Sequence, residues 1–266
     1  MLLCLLQMKN AYEYIKYLLI SQGRHAFHSP FVYDFKDKCL KMKMDFAFLE
    51  KQEKQLYSLK KDDSVFEMKD FGAGSRKMER RRQVNEVFKN AATKGVFLEV
   101  LSQISLFYKP EKILELGTSL GVGTFALTSG GGLVVTVDAC DKTQAFARKY
   151  FPLVSSEVRF VNDTFDHFIS RDSSVYDLIF IDGHHDGTSL KRYLKQLQKN
   201  SHEETIFILD DIRWNRDMLR AWTEIIEDRD YHLSMDLFKF GIVMKRPHQQ
   251  KQHFVVRLNG ILRSLL

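Results

Sequence analysis

One segment constrains the fold more than any other: an apolar run that ends in a glycine-rich turn. Residues 112–124 read Lys-Ile-Leu-Glu-Leu-Gly-Thr-Ser-Leu-Gly-Val-Gly-Thr, which predicts a buried strand, a turn and the start of a helix. The glycines are Gly117, Gly121 and Gly123, so their spacing is GxxxGxG. Because glycine has no side chain, a turn of this kind lets the backbone approach a ligand closely.

A second apolar run follows the turn and ends in an acidic residue. Residues 133–137 are Leu-Val-Val-Thr-Val, and Asp138 comes next, 21 residues after Gly117. In nucleotide-binding α/β folds a carboxylate at the end of the second strand holds the hydroxyl groups of a ribose. Nicotinamide dinucleotides are typically bound by GxGxxG, which this chain lacks. The pattern therefore favours a different nucleotide-like ligand, S-adenosylmethionine.

From residue 111 onward the sequence alternates between predicted strands and helices. Strands are predicted at residues 112–117, 133–138, 158–162, 177–182 and 205–210, followed by a hairpin of residues 231–237 and 241–245. Continuous apolar runs such as residues 178–181 indicate strands that are covered on both faces, which is typical of a parallel sheet. We predict an α/β fold with seven strands and an antiparallel terminal pair.

The chain divides into three predicted regions. Residues 1–108 form a helical N-terminal extension, with helices at 11–22, from Ser29-Pro30 to about residue 60, and within 80–108; the glycines of residues 70–75, Asp-Phe-Gly-Ala-Gly-Ser, predict a loop. Residues 109–247 form the binding core, and the region 248–266 ends in a C-terminal amphipathic helix over 254–266. The extension is expected to supply a lid or substrate specificity.

Composition narrows the class of protein. With 266 residues and 44% hydrophobic residues, the chain can form a full core, and no run reaches the roughly 18 apolar residues of a membrane span. Cys4, Cys39 and Cys140 show no metal-binding spacing, and so few cysteines fit a reducing compartment. The first eight residues lack the positive start of a signal peptide, and Met8 is an equally good start. A cytoplasmic protein without a membrane partner is expected.

The net charge of +6 is concentrated locally, above all in residues 76–82, Arg-Lys-Met-Glu-Arg-Arg-Arg. Such a cluster can bind phosphate or nucleic acid. However, Glu79 interrupts it and no aromatic residues alternate with it, so a solvated helix face is favoured and nucleic acid is not an expected partner. His25 and His28 lie three residues apart, but packing or capping is favoured over metal binding.

Polar residues follow each of the five predicted parallel strands. They are Glu115 and Gly117, Asp138, Asn162 and Asp163, Asp182 with His184 and His185, and Asp210 with Asp211. Any one of them is explained equally well as a helix cap or the start of a loop. Because ligands bind at the carboxyl ends of parallel strands, all five together on one edge indicate a binding site.

Four motifs resemble those of a known family. ILELGTSLGVGT, VTVDAC, DLIFIDGHHDG and FILDDIRW lie within residues 111–246 and resemble class I S-adenosylmethionine-dependent methyltransferases, most closely the catechol-type O-methyltransferase branch. HAFHSPFVYDF and DFGAGS also resemble segments of uncharacterised bacterial methyltransferases. The resemblance implies a Rossmann-like sheet in the order 3-2-1-4-5-7-6 with helices on both faces. It also implies methyl transfer from S-adenosylmethionine to a small-molecule acceptor, at oxygen.

The resemblance assigns cofactor-binding roles to the strand ends. Glu115 and Gly117 shape the methionine pocket, and Asp138 accepts from both ribose hydroxyls, although many relatives have glutamate there. Asn162 or Asp163 lies near the adenine, with the alternative that Asp163 caps the helix starting near Phe165. The remaining residues expected to contact the cofactor are Thr118, Ser119, Gly121, Asp182 and His184.

The acidic strand ends leave two mechanisms open. In metal-dependent members of the branch, the positions of Asp182, Asp210 and Asp211 hold a magnesium-type ion with Asp, Asp and Asn. Three converging carboxylates would repel one another without a cation, which favours Mg²⁺; alternatively, Asp211 caps the next helix and Asp182 contacts the methionine amino group. Without metal, a histidine deprotonates the acceptor, and His184 is favoured over His185. The predicted catalytic residues are therefore His184, Asp182 and Asp210.

Other readings of the sequence remain. Trp214 either walls the acceptor pocket or belongs to the core. A nicotinamide-dependent oxidoreductase is disfavoured by the glycine spacing. A non-enzymatic protein that keeps a cofactor pocket and binds RNA or protein through its basic N-terminal region is disfavoured by the intact ELGTS and Asp138 positions. The sequence leaves a homodimer open.

Overall fold

An eight-stranded sheet forms the centre of a computed structural model, which describes residues 12–21, 29–68 and 80–261. A separate two-stranded hairpin of β1 (Val65–Met68) and β2 (Arg80–Gln83) precedes it in the chain. The large sheet contains β3 (Lys112–Leu116), β4 (Leu133–Asp138), β5 (Val158–Asn162), β6 (Tyr176–Ile181), β7 (Ser201–Leu209), β8 (Leu233–Leu237), β9 (Phe240–Met244) and β10 (Gln252–Val255).

The order of the strands confirms the prediction of a Rossmann-like sheet. The sheet runs β10-β8-β9-β7-β6-β3-β4-β5, so the seven strands from β3 to β9, counted from one, lie in the order 3-2-1-4-5-7-6. β3 to β7 are parallel, and β9 is antiparallel to both β7 and β8. The bounds of these strands differ from the predicted ones by four residues at most, at the start of β7.

Helices cover both faces of this sheet, as predicted. They are α1 (residues 12–20), α2 (Pro30–Asp37), α3 (Phe46–Lys61), α4 (Val84–Ala91), α5 (Gly95–Tyr108), α6 (Val122–Leu127), α7 (Asp141–Tyr150), α8 (Phe165–Arg171), α9 (Gly187–Gln196) and α10 (Arg216–Glu227). Short 3₁₀ turns lie at Cys39–Lys41, Thr128–Gly130 and Leu197–Asn200. No helix within the described ranges is both long enough and apolar enough to pass through a bilayer.

The strand β6 shows why its apolar run is continuous. Leu178 and Phe180 belong to a core on one face of the sheet, which residues of α5 and of the N-terminal helices complete. Ile179 and Ile181 belong to the core on the other face, with residues of α8, α9 and α10. Because successive side chains of a strand point to opposite faces, a strand buried on both needs apolar residues throughout. The N-terminal extension is thus one of the two helical layers.

The structure corrects two predictions at the ends of the core. The C-terminal helix predicted within the region 248–266, over residues 254–266, is wrong at its start, because Gln252–Val255 form β10 and pair in parallel with β8. Phe254 and Val255 are buried there, and aromatic and β-branched residues favour a strand once an open sheet edge is available. The helical segment predicted from Arg80 begins instead as β2, where Arg81 faces Glu67 across the hairpin.

Several predictions lie outside the described residues. They concern the first eight residues, the two histidines at 25 and 28, the glycine loop of residues 70–75, the basic residues 76–79 and the last five residues. The helix predicted from Ser29-Pro30 to about residue 60 is confirmed at its start, since α2 begins at Pro30 with Ser29 as its N-cap, but it is interrupted: α2 ends at Asp37 and α3 begins at Phe46.

Helix α1 fastens the segment that follows β10. The Tyr17 side chain is buried, and its hydroxyl donates to the Val256 carbonyl and accepts from the Leu258 N–H at 3.2 Å. From the same segment, Arg257 donates to the Ser21 hydroxyl at 2.8 Å. The first and last segments that the structure describes are therefore joined by hydrogen bonds, two of which involve the hydroxyl group of a buried tyrosine.

This contact predicts the effect of removing one hydroxyl group. Tyr17→Phe should lower the free energy of unfolding by about 1–2 kcal/mol, because the Leu258 N–H loses its buried partner. Tyr12→Phe is the matched control, since Tyr12 in the same helix is 66% exposed. Urea unfolding of both variants measures the difference, and equal stability of the two would contradict the contact.

Candidate functional site

The turn after β3 passes very close to the end of β6. Gly117 has φ of 115°, and a Cβ placed on it would lie 1.9 Å from the Asp182 carbonyl oxygen. Its N–H donates to the Val137 carbonyl at 2.9 Å, which ties the turn to β4 as well. Only glycine fits this position, so the first glycine of the sequence pattern brings three strand ends together.

The next residues of the turn, 118–121, are held in place by hydrogen bonds to α3 and β4. Gly121 has φ of 76°, and its carbonyl accepts from the Gln55 side chain of α3 at 3.2 Å. Ser119 also has a positive φ, of 45°, and directs its N–H towards Asp138. The Thr118 hydroxyl lies 2.6 Å from that of Thr136 and is buried, so this predicted pocket residue turns towards β4.

Glu115 lies in a buried network beneath the turn. Its carboxyl group is 1% exposed and accepts from the hydroxyls of Thr124 at 2.5 Å and Thr136 at 2.6 Å. Burial raises the pKa of Glu115 to about 8, despite the two hydroxyl donors. A Cβ on Gly123 would lie 2.8 Å from its Oε1 atom, which explains the third glycine.

Asp138 stands at the end of β4, where the sequence predicts the ribose contact. One carboxylate oxygen accepts from the Ser119 N–H at 2.9 Å and the other from the Cys140 N–H at 2.8 Å. These two bonds fix the orientation of the carboxylate, and burial raises its pKa. Each carboxylate oxygen has a second lone pair, so Asp138 can still accept from two hydroxyl groups.

The residues after β5 lie beside Asp138. Asn162 donates from its side chain to the Asp138 carbonyl at 3.0 Å, and the Asp163 N–H bonds the same oxygen at 3.2 Å. The Asp163 carboxylate lies 2.7 Å from Nδ1 of His167, a residue that the sequence did not single out. Thr164, rather than Asp163, is the N-cap of α8. Asn162 and Asp163, which were predicted to lie near the adenine, are thus adjacent to Asp138, which was predicted to bind the ribose.

The two histidines after β6, His184 and His185, contact different groups of residues. His184 has φ of 50°, its Nδ1 lies 2.9 Å from the Tyr193 hydroxyl, and its ring packs edge-on against Phe165. The ring of His185 lies 5.4 Å from that of Trp214. His184 is close enough to Asp138 to influence the pKa of that carboxyl group, so His184 lies on the Asp138 side of Asp182.

His185 lies at a group of carboxylates that we call the acidic cluster, Asp182, Asp210 and Asp211. Its Nδ1 lies 3.8 Å from the Asp211 carboxylate. Ligand atoms of Asp182, His185 and Asp211 all lie within 4.8 Å of one another. The sequence favoured His184 as the catalytic histidine, yet His185 is the one beside these carboxylates.

Lys239 completes the acidic cluster and was missed in the sequence. It lies in the turn between β8 and β9, where its ammonium group pairs with Asp210 and lies 3.2 Å from the Asp211 carboxylate. Burial lowers the pKa of Lys239, but the three carboxylates outweigh burial and raise it. A lysine between two phenylalanines in a hairpin turn is the one available signal, and sequence alone does not show what such a lysine faces.

Two carboxyl groups of the acidic cluster, those of Asp182 and Asp210, have raised pKa values. Burial raises the pKa of Asp182 to about 7 and that of Asp210 well above its ordinary range. The Lys239 ammonium group, which pairs with Asp210 and Asp211, offsets part of the negative charge of the three clustered carboxylates.

Comparisons with known proteins were made on the chain and its fold. Residues 114–212 match a family described as "Methyltransferase domain". No curated protein matches the chain. Among solved structures, an SAH-bound methyltransferase of Podospora anserina, PaMTH1, is 16% identical, with a TM-score of 0.55 and coverage of 82% of this chain and 96% of its own.

Two other solved structures share the fold. An O-methyltransferase from Bacillus cereus in complex with SAH is 18% identical, with a TM-score of 0.52 and coverage of 80% of this chain and 96% of its own. The O-methyltransferase TomG of Streptomyces achromogenes, in complex with SAM, is 14% identical, with a TM-score of 0.53 and coverage of 84% and 99%. At these identities the likeness concerns the fold.

The raised pKa of Glu115 predicts a pH dependence of stability. In the native protein Glu115 keeps its proton up to about pH 8, whereas in the unfolded chain it loses it near 4.5. Because the native state binds the proton more tightly, the free energy of unfolding should fall as the pH rises between these values. Glu115→Gln stays neutral, so its stability should fall less over the same range. Urea unfolding across this range tests this, and parallel curves would contradict it.

Proposed function

We propose that this chain, a class I methyltransferase by its central domain and its fold, transfers the methyl group of S-adenosylmethionine to a hydroxyl group of a small molecule. The matched domain and the shared fold support methyl transfer. One observation carries the choice of cofactor: the Gly117 turn and the oriented Asp138 carboxylate lie side by side at the carboxyl edge of the sheet. The GxxxGxG spacing of this turn does not favour a nicotinamide-dependent oxidoreductase, because nicotinamide dinucleotides are typically bound by GxGxxG.

The arrangement suits the cofactor as follows. Asp138 would accept from both ribose hydroxyls, and Asn162 and Asp163 beside it would border the adenine. The open backbone of the Gly117 turn would border the methionine part, above the buried Glu115 carboxyl. His184 would lie along the cofactor, because it neighbours Asp138 and packs with Phe165 and Tyr193.

The acceptor would bind on the other side of Asp182. Trp214 is 59% exposed there and packs against the ring of His185, so it offers a flat wall to a planar molecule. His185 and Asp211 are both partly exposed beside it. A small aromatic hydroxyl compound fits this surface, and two solved proteins with the same fold, from Bacillus cereus and Streptomyces achromogenes, are O-methyltransferases.

The chemistry needs one proton transfer and one displacement. His185 takes the proton from the acceptor hydroxyl, as a neutral imidazole can near neutral pH. The acceptor oxygen then attacks the methyl carbon, the carbon–sulfur bond breaks, and its electron pair stays on sulfur. The products are a methyl ether and S-adenosylhomocysteine. The protein contributes mainly by holding the two reactants in line.

The predicted Mg²⁺ ligands do not fit that ion. Mg²⁺ requires open oxygen ligands in a nearly ideal octahedron. Asp210 is 3% exposed, and its Oδ1 atom already binds both Lys239 and the Asp211 N–H, so a cation is present at this carboxylate. The atoms that do converge include a nitrogen of His185, and the Lys239 ammonium lies 3.2 Å from Asp211. No step of the proposed reaction therefore uses a metal.

Cofactor binding tests the proposal first. Asp138→Asn should weaken S-adenosylhomocysteine binding by about tenfold or more, because the amide cannot accept from both ribose hydroxyls as a carboxylate does. Asp141→Asn is the matched control, since Asp141 is an exposed acidic residue in the first turn of α7. Isothermal titration calorimetry gives the three affinities. If the parent chain does not bind S-adenosylhomocysteine at about 1 mM, the proposed function fails.

The assignment of the base is tested by exchanging each histidine. His185→Gln should lower the rate of methyl transfer by about 10²–10⁴-fold while S-adenosylhomocysteine affinity stays the same. His184→Gln should instead weaken S-adenosylhomocysteine binding. Transfer of labelled methyl groups to a panel of phenols and catechols measures the rates. The opposite pattern, with His184 required for turnover and His185 dispensable, would restore the choice made from the sequence.

A further inference from the structure

The acidic cluster already contains a cation. The Lys239 ammonium pairs with Asp210 and Asp211, and both of these positions would hold the ion in metal-dependent proteins of the type that the sequence resembles. We propose that Lys239 takes the place of a divalent metal ion in this site, so that methyl transfer proceeds without one. The inference rests on the proposed function, because it assigns the charge that the methyltransferase site uses.

The position of Lys239 is fixed by its own turn. The Lys239 N–H donates to the Leu237 carbonyl at 3.0 Å, and its carbonyl accepts from the Ile212 N–H at 3.1 Å. Phe238 before it has φ of 74°, a left-handed conformation that is uncommon for a residue with a side chain. Lys239 is thereby anchored directly to the segment that follows Asp211.

A second set of contacts holds this left-handed residue in place. The Asp236 carboxylate accepts from the Phe238 N–H at 2.8 Å and binds both terminal nitrogens of Arg213, at 2.8 and 2.6 Å. The ring of Phe238 packs against Tyr14 and Tyr17 of α1. The contacts of Asp236 and of the Phe238 ring therefore fix the backbone from which the Lys239 side chain reaches the acidic cluster.

The carboxylate of Asp210 has no room for a metal ion beside Lys239. Its Oδ1 atom accepts from the Asp211 N–H at 2.6 Å as well as from Lys239, and its Oδ2 atom lies 3.5 Å from the Thr93 hydroxyl. The side chain is 2% exposed. A divalent ion at this carboxylate would stand within a few ångströms of the ammonium group, and two such cations repel strongly.

Replacing a metal ion by lysine also changes how many oxygen atoms of the methyl acceptor the cation can bind. A divalent ion can bind two neighbouring oxygens at once, whereas an ammonium group is a compact charge that satisfies one oxygen per N–H. Two N–H groups of Lys239 face the acidic cluster, and its side chain is 23% exposed. An acceptor with a single hydroxyl group therefore suffices.

Manganese binding tests the inference on the full chain saturated with S-adenosylhomocysteine. Mn²⁺, observed by electron paramagnetic resonance, should not bind the parent chain below about 1 mM. Lys239→Gln removes the charge and should bind Mn²⁺ at least about tenfold more tightly, whereas Lys239→Arg should behave as the parent. Lys245→Gln is the control, because Lys245 is a partly buried lysine of the same hairpin that donates to the Gln198 and Ser201 carbonyls.

The outcomes separate this inference from the proposed function. Binding of Mn²⁺ to the parent chain below about 1 mM would overturn the role of Lys239, whatever the variants do. Equal Mn²⁺ affinity of Lys239→Gln and the parent would overturn it as well. If Lys239→Gln does not fold, the parent and Lys239→Arg still decide. Absence of S-adenosylhomocysteine binding in every chain would instead reject the proposed function.

Discussion

The whole site depends on the close approach of the Gly117 backbone to the end of β6. A side chain at this residue would begin 1.9 Å from the Asp182 carbonyl oxygen, well inside any allowed contact. The approach brings the ends of β3, β4 and β6 together, and with them Asp138 on one side and the acidic cluster on the other. The cofactor half and the acceptor half of the proposed site meet at this point.

Burying so many carboxyl groups at one edge creates an electrostatic problem, which the chain solves locally. Burial raises the pKa of Glu115 beneath the turn, so the buried carboxyl group favours its neutral form. Two threonine hydroxyls donate hydrogen bonds to it and would stabilise the carboxylate when the proton leaves. Asp138 is held by backbone N–H groups. In the acidic cluster, the Lys239 ammonium group pairs with Asp210 and Asp211.

Much of this could be predicted from the sequence, because local patterns set it. Apolar runs located the parallel strands, and the glycine turn with Asp138 located the edge of the sheet at which the proposed cofactor site lies; the predicted Rossmann-like fold is confirmed, and residues 114–212 match a methyltransferase domain. What failed depends on partners far away in the chain. Gln252–Val255 form a strand only because β8 offers a free edge, and Lys239 faces Asp210 through a hairpin turn. Choosing between His184 and His185 requires the left-handed backbone at His184, which no pattern of residue types reveals.

A crystal structure of the complex with S-adenosylhomocysteine, grown with Mg²⁺ present, tests the central claim most directly. The claim is that one edge of the sheet binds the cofactor at Asp138 and keeps Lys239 as the cation of the acidic cluster. We expect both ribose hydroxyls on the Asp138 carboxylate and the Lys239 ammonium still on Asp210 and Asp211. A ligand bound away from the Gly117 turn, or a magnesium ion at the acidic cluster with Lys239 displaced, would contradict it.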